Sequence, residues 1–307
     1  MLQRVKIKNF RCLKNVEFEL EPLTILVGPN ASGKSAVLDA LKPKSWGGEK
    51  NRWQYSSQRI RFEFGNVIGD SYRYDERRKS TREGKYRYEK STYQKLQLDL
   101  DKLRQRNVAE EADQLDSDGG NLTNVFSTLT RDQQIELRDE FCKLVPVYSD
   151  INVRPVKKGK LQLEFQDRWN EEVTYQPSQV SDGTMLMLGY LLLQYQEKAP
   201  DVVAVEEPER GLHPYLLEQL VSFFRELANG ERGPRSFNMV LATHSAELLD
   251  FARPEEVRFL DRDSKTGETT VEAAPTDDEG WEETMETYLD SLGNAWLSGG
   301  LGGVPGR

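Results

Sequence analysis

A glycine-rich segment near the start of the chain has the residue types and the spacing needed to hold phosphate groups. It reads GPNASGKS from residue 28 and fits the pattern G-x-x-x-x-G-K-[ST]. In such a loop, backbone N–H groups surround the phosphates at the positive end of the following helix. Lys34 supplies a charge to the phosphate oxygens, and the Ser35 hydroxyl is a ligand for Mg²⁺. The segment therefore predicts an ATP and Mg²⁺ site made of Gly28, Asn30, Ala31, Ser32, Gly33, Lys34, Ser35 and Ala36.

Two adjacent carboxylates form a second candidate site. Glu206 and Glu207 follow the apolar run 202–205, which is typical of a buried strand. Ligand chemistry gathers at the carboxyl ends of parallel strands. There, Glu206 is predicted to hold the Mg²⁺ shell and Glu207 to polarise the attacking water. An ordinary solvated acidic turn is the alternative interpretation.

The chain has two histidines, and one of them also follows a predicted strand. His244 follows the predicted buried strand 237–242, with Thr243 between them. At that position it can contact the γ-phosphate as a sensor, although a single histidine is more commonly structural. His213 lies in Gly-Leu-His-Pro and is interpreted as a turn or subunit-contact residue.

Strands and helices alternate in the first and last parts of the chain, which predicts an α/β fold with a largely parallel sheet. Segments that alternate in polarity or are uniformly apolar predict strands at 3–10, 16–20, 23–27, 59–64, 72–74, 85–88, 161–165, 202–205, 237–242 and 257–260. Helical patterns occur at 35–41, 122–144, 183–195 and 215–227. The stretch 288–297 is apolar and is either part of the core or a docking peptide.

Composition favours a globular cytoplasmic protein. The 307 residues are 37% hydrophobic and 30% charged, and no apolar run approaches the roughly 20 residues of a membrane span. The opening MLQRVKIKNF has no apolar secretory region. Cys12 and Cys142 lack metal-ligand spacing, so both are expected to be reduced thiols.

Charge is distributed unevenly within the net charge of −9. Residues 44–106 hold 17 Lys and Arg against 9 Asp and Glu, a local excess of 8 positive charges. Such asymmetry can mark a partner-binding region, although a solvated charged subdomain is an equal alternative. Basic residues with an interleaved tyrosine in this region could contact a DNA backbone, a partner or a second copy. They are Arg73, Arg77, Arg78, Lys79, Arg82, Tyr86 and Arg87.

Taken together, four motifs in order resemble the ABC-type ATPase heads of the RecF, SMC and OLD group. They read IKNFRCLKNVEFELEPLTILVGPNASGKSAVLDAL, QVSDGTMLML, EEPERGLHP and ATHSAELLD, and the resemblance covers roughly residues 1–45 and 120–265. It implies an ABC-type P-loop head with a mixed central sheet, an antiparallel β-subdomain and a helical, basic insert. The core would comprise 1–45 and 150–275, the insert 46–149, and a C-terminal helix with a glycine-rich tail 276–307.

The resemblance also implies roles for individual residues. Glu206 takes the Walker B position, Glu207 that of the catalytic base and His244 that of the switch histidine. Ser181, Asp182 and Gly183 resemble the signature segment, which caps ATP bound to the opposite subunit, so the active form would be a homodimer closed around ATP. Arg11 resembles an arginine near the phosphates, and a surface salt bridge is an equal alternative.

Some features depart from the family pattern. Glu206 stands where Asp is commoner, and the glutamine loop has only Gln54 and Gln58 as candidates. A long coiled coil is absent from the sequence, and about forty residues after the last core strand leave no room for a nuclease domain. The resemblance is thus to compact ATPases that act with a separate effector protein, commonly in phage defence, or in DNA repair. A nucleotide-binding scaffold with little turnover and the ATP-binding subunit of a membrane transporter are the alternatives.

Overall fold

The computed structural model describes residues 1–42, 61–66, 71–75, 81–83 and 92–301. Its strands are β1 (Leu2–Phe10), β2 (Leu13–Glu19), β3 (Leu23–Val27), β4 (Arg61–Asn66), β5 (Ser71–Asp75), β6 (Thr81–Glu83), β7 (Tyr93–Leu96), β8 (Asn107–Val108), β9 (Tyr148–Val156), β10 (Lys160–Asp167), β11 (Thr174–Tyr175), β12 (Val202–Glu206), β13 (Asn238–Thr243), β14 (Val257–Arg262) and β15 (Thr269–Ala273). Its α-helices are α1 (Lys34–Ala40), α2 (Leu100–Leu103), α3 (Leu122–Thr128), α4 (Arg131–Leu144), α5 (Asp182–Leu191), α6 (Tyr215–Asn229), α7 (Ala246–Leu249), α8 (Trp281–Thr287) and α9 (Leu292–Leu297).

A mixed six-stranded sheet forms the centre, in the order β15-β14-β3-β13-β12-β7. The pairs from β14 to β7 are parallel, and β15 is antiparallel to β14. All five residues of β3 are buried, as expected for a strand that is covered on both faces. The predicted mixed central sheet is therefore confirmed.

The central sheet is covered by different layers on its two faces. Along β12, Val202 and Ala204 pack with α1 and with the antiparallel sheet β2-β1-β4-β5-β6. The alternate residues Val203 and Val205 pack with α5 and α6. Because successive side chains of a strand point to opposite faces, each strand contributes to both cores. The antiparallel β-subdomain that the resemblance implied is present.

A helical and β unit lies beside α5. Helices α3 and α4 pack against β10, which pairs with β8, β9 and β11. Phe141, Tyr148 and Phe165 form a ring cluster in this unit, with centroids between 5.5 and 6.2 Å apart. These residues belong to the same hydrophobic core as α5, so the unit continues the main core.

Several predicted elements need correction. The single helix predicted for 122–144 is wrong, because Thr130 begins a new helix with a capping box to Gln133. The helix predicted for 183–195 ends at Leu191 and continues as a 3₁₀ turn to Tyr195. Strands β7, β9 and β15 were not predicted. The strand predicted at 85–88 lies outside the described residues.

The predicted domain boundaries stay a prediction. Within the predicted insert 46–149, strand β4 pairs with β1 and strand β7 pairs with β12 of the central sheet. These elements therefore share sheets with the predicted core.

The C-terminal stretch 288–297 contributes buried residues of α9 to the core, while Leu289 and Leu297 are exposed. Trp296 and Ala295 are buried, and α9 packs on α7. The N–H of Gly293 donates to Asp250 Oδ1 at 3.0 Å, next to the end of α7. No helix in the described part of the chain is long and apolar enough to cross a membrane.

Candidate functional site

Parallel pairing brings the ends of four strands to one edge of the central sheet. Glu206 aligns with Ala242, and Ala242 aligns with Leu26, two positions before Gly28. Strand β7 ends at the same edge, because its last residue, Leu96, aligns with Val205. The phosphate loop, the two glutamates and His244 therefore share the edge at which α/β proteins bind ligands.

The phosphate loop is shaped by two glycines. A Cβ on Gly28 would overlap the carbonyl oxygen of Leu260 and lie 2.8 Å from Ser32 Oγ. Gly33 has φ 112°, and a Cβ there would lie 2.7 Å from Thr269 Oγ1. Thr269 Oγ1 donates to Ser32 O at 2.9 Å, so the start of β15 closes the back of the loop. Only glycine satisfies both positions without moving backbone.

Lys34 folds over this loop. Its Nζ donates to the carbonyls of Gly28 at 2.6 Å and Pro29 at 2.9 Å. Burial lowers the pKa of Lys34, while the charges of Glu207, Glu209 and Glu206 act in the opposite direction. The ammonium group therefore lies within electrostatic range of the acidic strand end, as a phosphate-binding lysine between the loop and a metal site requires.

Glu206 has the surroundings of a metal ligand. Its side chain is 13% exposed, and Lys95 Nζ lies 3.2 Å from Oε1. That ion pair lacks hydrogen-bond geometry, and within the described residues Oε1 accepts no hydrogen bond. A buried carboxylate oxygen without a donor is costly unless a cation or water completes it. The residues present thus fit Mg²⁺ held by Glu206 and the Ser35 hydroxyl.

Glu207 and His244 face each other across β12 and β13. His244 Nδ1 lies 3.6 Å from Glu207 Oε1, and both side chains are about half exposed. Glu207 has φ 47°, in the left-handed region, and its N–H donates to Ala242 O at 2.8 Å. A non-glycine residue in this conformation is strained, and such strain clusters at functional sites. The geometry places a carboxylate and an imidazole beside the same opening.

A third glutamate, which sequence reasoning missed, lies behind this pair. Glu209 Oε1 accepts a hydrogen bond from Thr243 Oγ1 at 2.7 Å and lies 4.0 Å from His244 Nδ1. Burial raises the pKa of Glu209, and the Thr243 hydrogen bond partly offsets this effect. Its position three residues after Glu206 was the available signal. Glu209 supports Thr243, whose hydroxyl also accepts from Ser245 N at 2.9 Å.

A cavity of about 330 Å³ opens beside Glu206 and Glu207. Gln97 lines it, directly after β7, and so lies at the same strand edge as Glu206. An amide oxygen there is a suitable metal or water ligand. The candidates for the glutamine loop, Gln54 and Gln58, lie outside the described residues.

The signature segment begins α5. Ser181 is its N-cap, and the side-chain oxygen accepts from Thr184 N at 3.3 Å. Asp182 pairs with Arg104 at 2.6 Å. A Cβ on Gly183 would lie 3.1 Å from Gly211 O, so the signature helix packs closely on the loop that follows Glu207.

Arg11 is held on the phosphate-loop helix. Its Nη1 lies 2.6 Å from Asp39 Oδ2, and its guanidinium carbon is 5.1 Å from the centre of the Phe10 ring. Arg11 thus makes the salt bridge that the sequence left as one alternative. A role toward phosphate stays a prediction.

Comparisons with known proteins agree with this geometry. The profile of the family described as "AAA domain, putative AbiEii toxin, Type IV TA system" matches residues 23–250, and that of "AAA ATPase domain" matches residues 1–44. The OLD nuclease of Thermus scotoductus is 51% identical over 41 residues. This match spans 13% of the chain and only 8% of that nuclease.

Two solved structures show the same fold at 12% identity. A Smc head bound to the C-winged helix domain of ScpA has a TM-score of 0.56, with 89% of this chain and 97% of that chain covered. The Pyrococcus furiosus Smc head with an extended coiled coil, bound to the C-terminal domain of ScpA, has a TM-score of 0.52, with 94% and 98% covered. The ABC-type head fold is therefore confirmed. Because the first family profile spans well over half of the chain, the protein belongs to that AAA-domain family of ATPases, with an OLD- and SMC-like head.

Proposed function

We propose that the protein hydrolyses ATP in a Mg²⁺-dependent reaction and works as a homodimeric switch. The single observation that supports this function best is the meeting of Lys34, Glu206, Glu207 and His244 at one edge of the central sheet. Bound Mg²⁺ would neutralise charge that develops on the phosphate oxygens.

Each residue has a separate task in this proposal. Lys34 leaves its carbonyl partners and pairs with the β- and γ-phosphates. Glu207 orients and deprotonates the attacking water, because its carboxylate is accessible and follows β12 at the edge that also carries the phosphate loop. His244, 3.6 Å from Glu207, contacts the γ-phosphate and so distinguishes ATP from ADP.

Ser181, Asp182 and Gly183 have a different task, since they belong to α5 and not to the phosphate loop. Ser181 and Asp182 are exposed at the helix start, while Gly183 is buried. The two exposed residues support a role on the nucleotide of a second copy, which would close the site from outside. ATP binding would then join two heads and hydrolysis would separate them, which gives two states that a partner can distinguish.

Glu207→Gln tests both parts of the proposal. The amide cannot accept the water proton, so turnover should fall by about 100-fold or more. ATP binding should persist, and sedimentation with ATP should show a trapped dimer. Ser181→Arg should prevent that dimer, and Glu282→Gln, an exposed carboxylate on α8, should behave as wild type. Unchanged turnover in Glu207→Gln would show that another group activates the water.

We propose a separate effector protein as the partner of the switch, in phage defence or DNA repair. The similarity to Smc heads bound to ScpA domains supports a protein partner for a compact head. DNA contact through the basic insert is the second candidate. The side chains of the basic cluster at residues 73–87 lie outside the described residues, so this candidate rests on composition alone. DNA affinity that did not fall with added salt would contradict a backbone contact.

A further inference from the structure

One arginine holds the turn that leads into the signature segment. Arg104 Nε donates to Pro177 O at 3.0 Å. Its Nη2 donates to Val180 O at 2.9 Å and to Asp182 Oδ1 at 2.6 Å. The two carbonyls precede Ser181 and the carboxylate follows it. The guanidinium group therefore spans the turn that sets the direction of the Ser181 side chain.

This arrangement needs the shape of arginine. A guanidinium group is planar and has five N–H donors in a fixed fork, whereas a lysine ammonium is a compact point charge. The Arg104 side chain is 21% exposed and its bonds to the two carbonyls are partly buried, whereas the Asp182 side chain is 53% exposed, so water replaces the guanidinium more readily at the carboxylate than at the carbonyls. Two of these acceptors are backbone carbonyls, which substitutions of neighbouring side chains would leave in place.

The segment that carries Arg104 lines the cavity beside Glu206 and Glu207, and Arg104 itself is one of the lining residues. Gln97 lines that cavity together with Glu206 and Glu207, and its N–H donates to Ser117 O at 2.8 Å. Asp99 caps α2 through Lys102 N at 3.0 Å, so residues 97–104 form one short, well-anchored unit.

The same unit packs directly on the signature helix. A Cβ on Gly189 of α5 would lie 3.1 Å from Leu98 Cδ1 and 3.4 Å from Leu103 Cδ2. Such close packing favours joint movement of residues 97–104 with α5 over sliding of one on the other. A displacement of residues 97–104 is therefore transferred to α5 and, through Arg104, to the turn before it.

We propose that Arg104 is a positioning residue that holds Ser181, Asp182 and Gly183 in the conformation by which a second copy of this chain closes over ATP. This proposal rests on the ATP-dependent dimer proposed above. Arg104 acts through Pro177, Val180 and Asp182. Because it also lines the cavity beside Glu206 and Glu207, nucleotide binding by its own subunit has to be measured separately.

The test uses the trapped dimer. Glu207→Gln and the double variant Glu207→Gln/Arg104→Ala are compared by sedimentation velocity with ATP and Mg²⁺. Binding of a fluorescent ATP analogue to dilute monomer is measured in parallel. The double variant should bind the analogue within about threefold of Glu207→Gln, but dimerise at least tenfold more weakly, on the order expected for lost hydrogen bonds to a charged group. Arg104→Lys should restore dimerisation only in part.

Arg138→Ala, added to Glu207→Gln, is the matched control, because Arg138 pairs with Asp139 on α4 at 2.8 Å and contacts no signature residue. It should leave dimerisation unchanged.

If Glu207→Gln alone stays monomeric with ATP, the proposed dimer is wrong, and so is the role proposed for Arg104. If both Glu207→Gln and the Arg104→Ala double variant dimerise equally, only the proposal for Arg104 is wrong. Equal losses of analogue binding and dimerisation would show a merely structural role. Should Arg104→Ala fail to fold, Arg104→Lys takes its place, with dimerisation expected to be weaker than in Glu207→Gln alone and analogue binding unchanged; equal dimerisation would contradict the proposal.

Discussion

Lys95→Met removes the positive charge that lies next to the candidate metal ligand. Lys95 Nζ is 3.2 Å from Glu206 Oε1 and 3.3 Å from Asp39 Oδ1, and it thereby links the strand end to the phosphate-loop helix. The Glu206 side chain is 13% exposed and that of Lys95 is 28% exposed, so solvent screens this pair only in part. Without the ammonium group, Glu206 keeps its charge in a poorly hydrated position.

The magnitude follows from the distance. Two unit charges at this separation attract by about 5 kcal/mol at an effective dielectric constant of about 20. Ordering the lysine side chain costs up to about 2 kcal/mol, and desolvation of the two charges offsets more of the gain. We therefore expect the nucleotide-free variant to lose about 1 to 2 kcal/mol in the free energy of unfolding.

The same substitution should act in the opposite direction on metal binding. An ammonium group beside Glu206 repels a cation, so its removal should tighten Mg²⁺ binding to the ATP-loaded protein. A relief of about 1.4 kcal/mol corresponds to about tenfold.

Urea denaturation in EDTA, followed by circular dichroism, measures the loss of stability. A Mg²⁺ titration with ATP, in the Glu207→Gln background to prevent turnover, measures the gain in metal affinity. Lys198→Met is the control, since its Nζ lies 3.7 Å from Asp113 Oδ2 and both side chains are exposed. It should change stability by less than about 0.5 kcal/mol. Equal stability losses in both variants, or weaker Mg²⁺ binding in Lys95→Met, would refute the reasoning.

Two further predictions concern the loop and the third glutamate. Gly28→Ala should weaken ATP binding at least tenfold in a fluorescence titration, because the new methyl group overlaps Leu260 O and the loop must shift. In the same titration the control Gly280→Ala should bind ATP normally, because its methyl group enters open space. Burial raises the pKa of Glu209 above its ordinary 4.5, so the folded state keeps the proton to higher pH and wild-type stability falls as pH rises through that window. Glu209→Gln cannot ionise, so its free energy of unfolding relative to wild type should rise as the pH increases above 4.5 in urea titrations. Parallel pH profiles would contradict this reasoning.

Sequence patterns located the parts of the site that lie on long or uniformly apolar elements. Strands β3, β12 and β13 are continuous hydrophobic runs, so the residues that follow them could be assigned to one sheet edge. Strand β7 has only four residues, and its Gln94 and Lys95 interrupt the apolar pattern. For this reason Lys95, Gln97 and Arg104 were missed. Their roles come from tertiary contacts with Glu206 and with the signature turn, which local periodicity does not encode.

The division of the helix predicted for 122–144 has a local cause. Thr130 and Gln133 satisfy each other's backbone groups, and this pair of hydrogen bonds begins a new helix inside an otherwise helical pattern. The positive φ of Glu207 has no sequence signal, because the surrounding sheet imposes it.

The position of β3 in the central sheet has a consequence for how the chain folds during synthesis. Strand β3 pairs on one side with β13 and on the other with β14, and the first of these begins at Asn238. About 210 residues separate β3 from that partner, which corresponds to roughly 10 to 40 s at ribosomal rates of about 5–20 residues per second. All five residues of β3 are buried in the native state. Throughout this interval β3 has neither β13 nor β14 to pair with. Assembly of the phosphate loop therefore waits for nearly the whole polypeptide, and until then β3 is an unpaired, aggregation-prone segment.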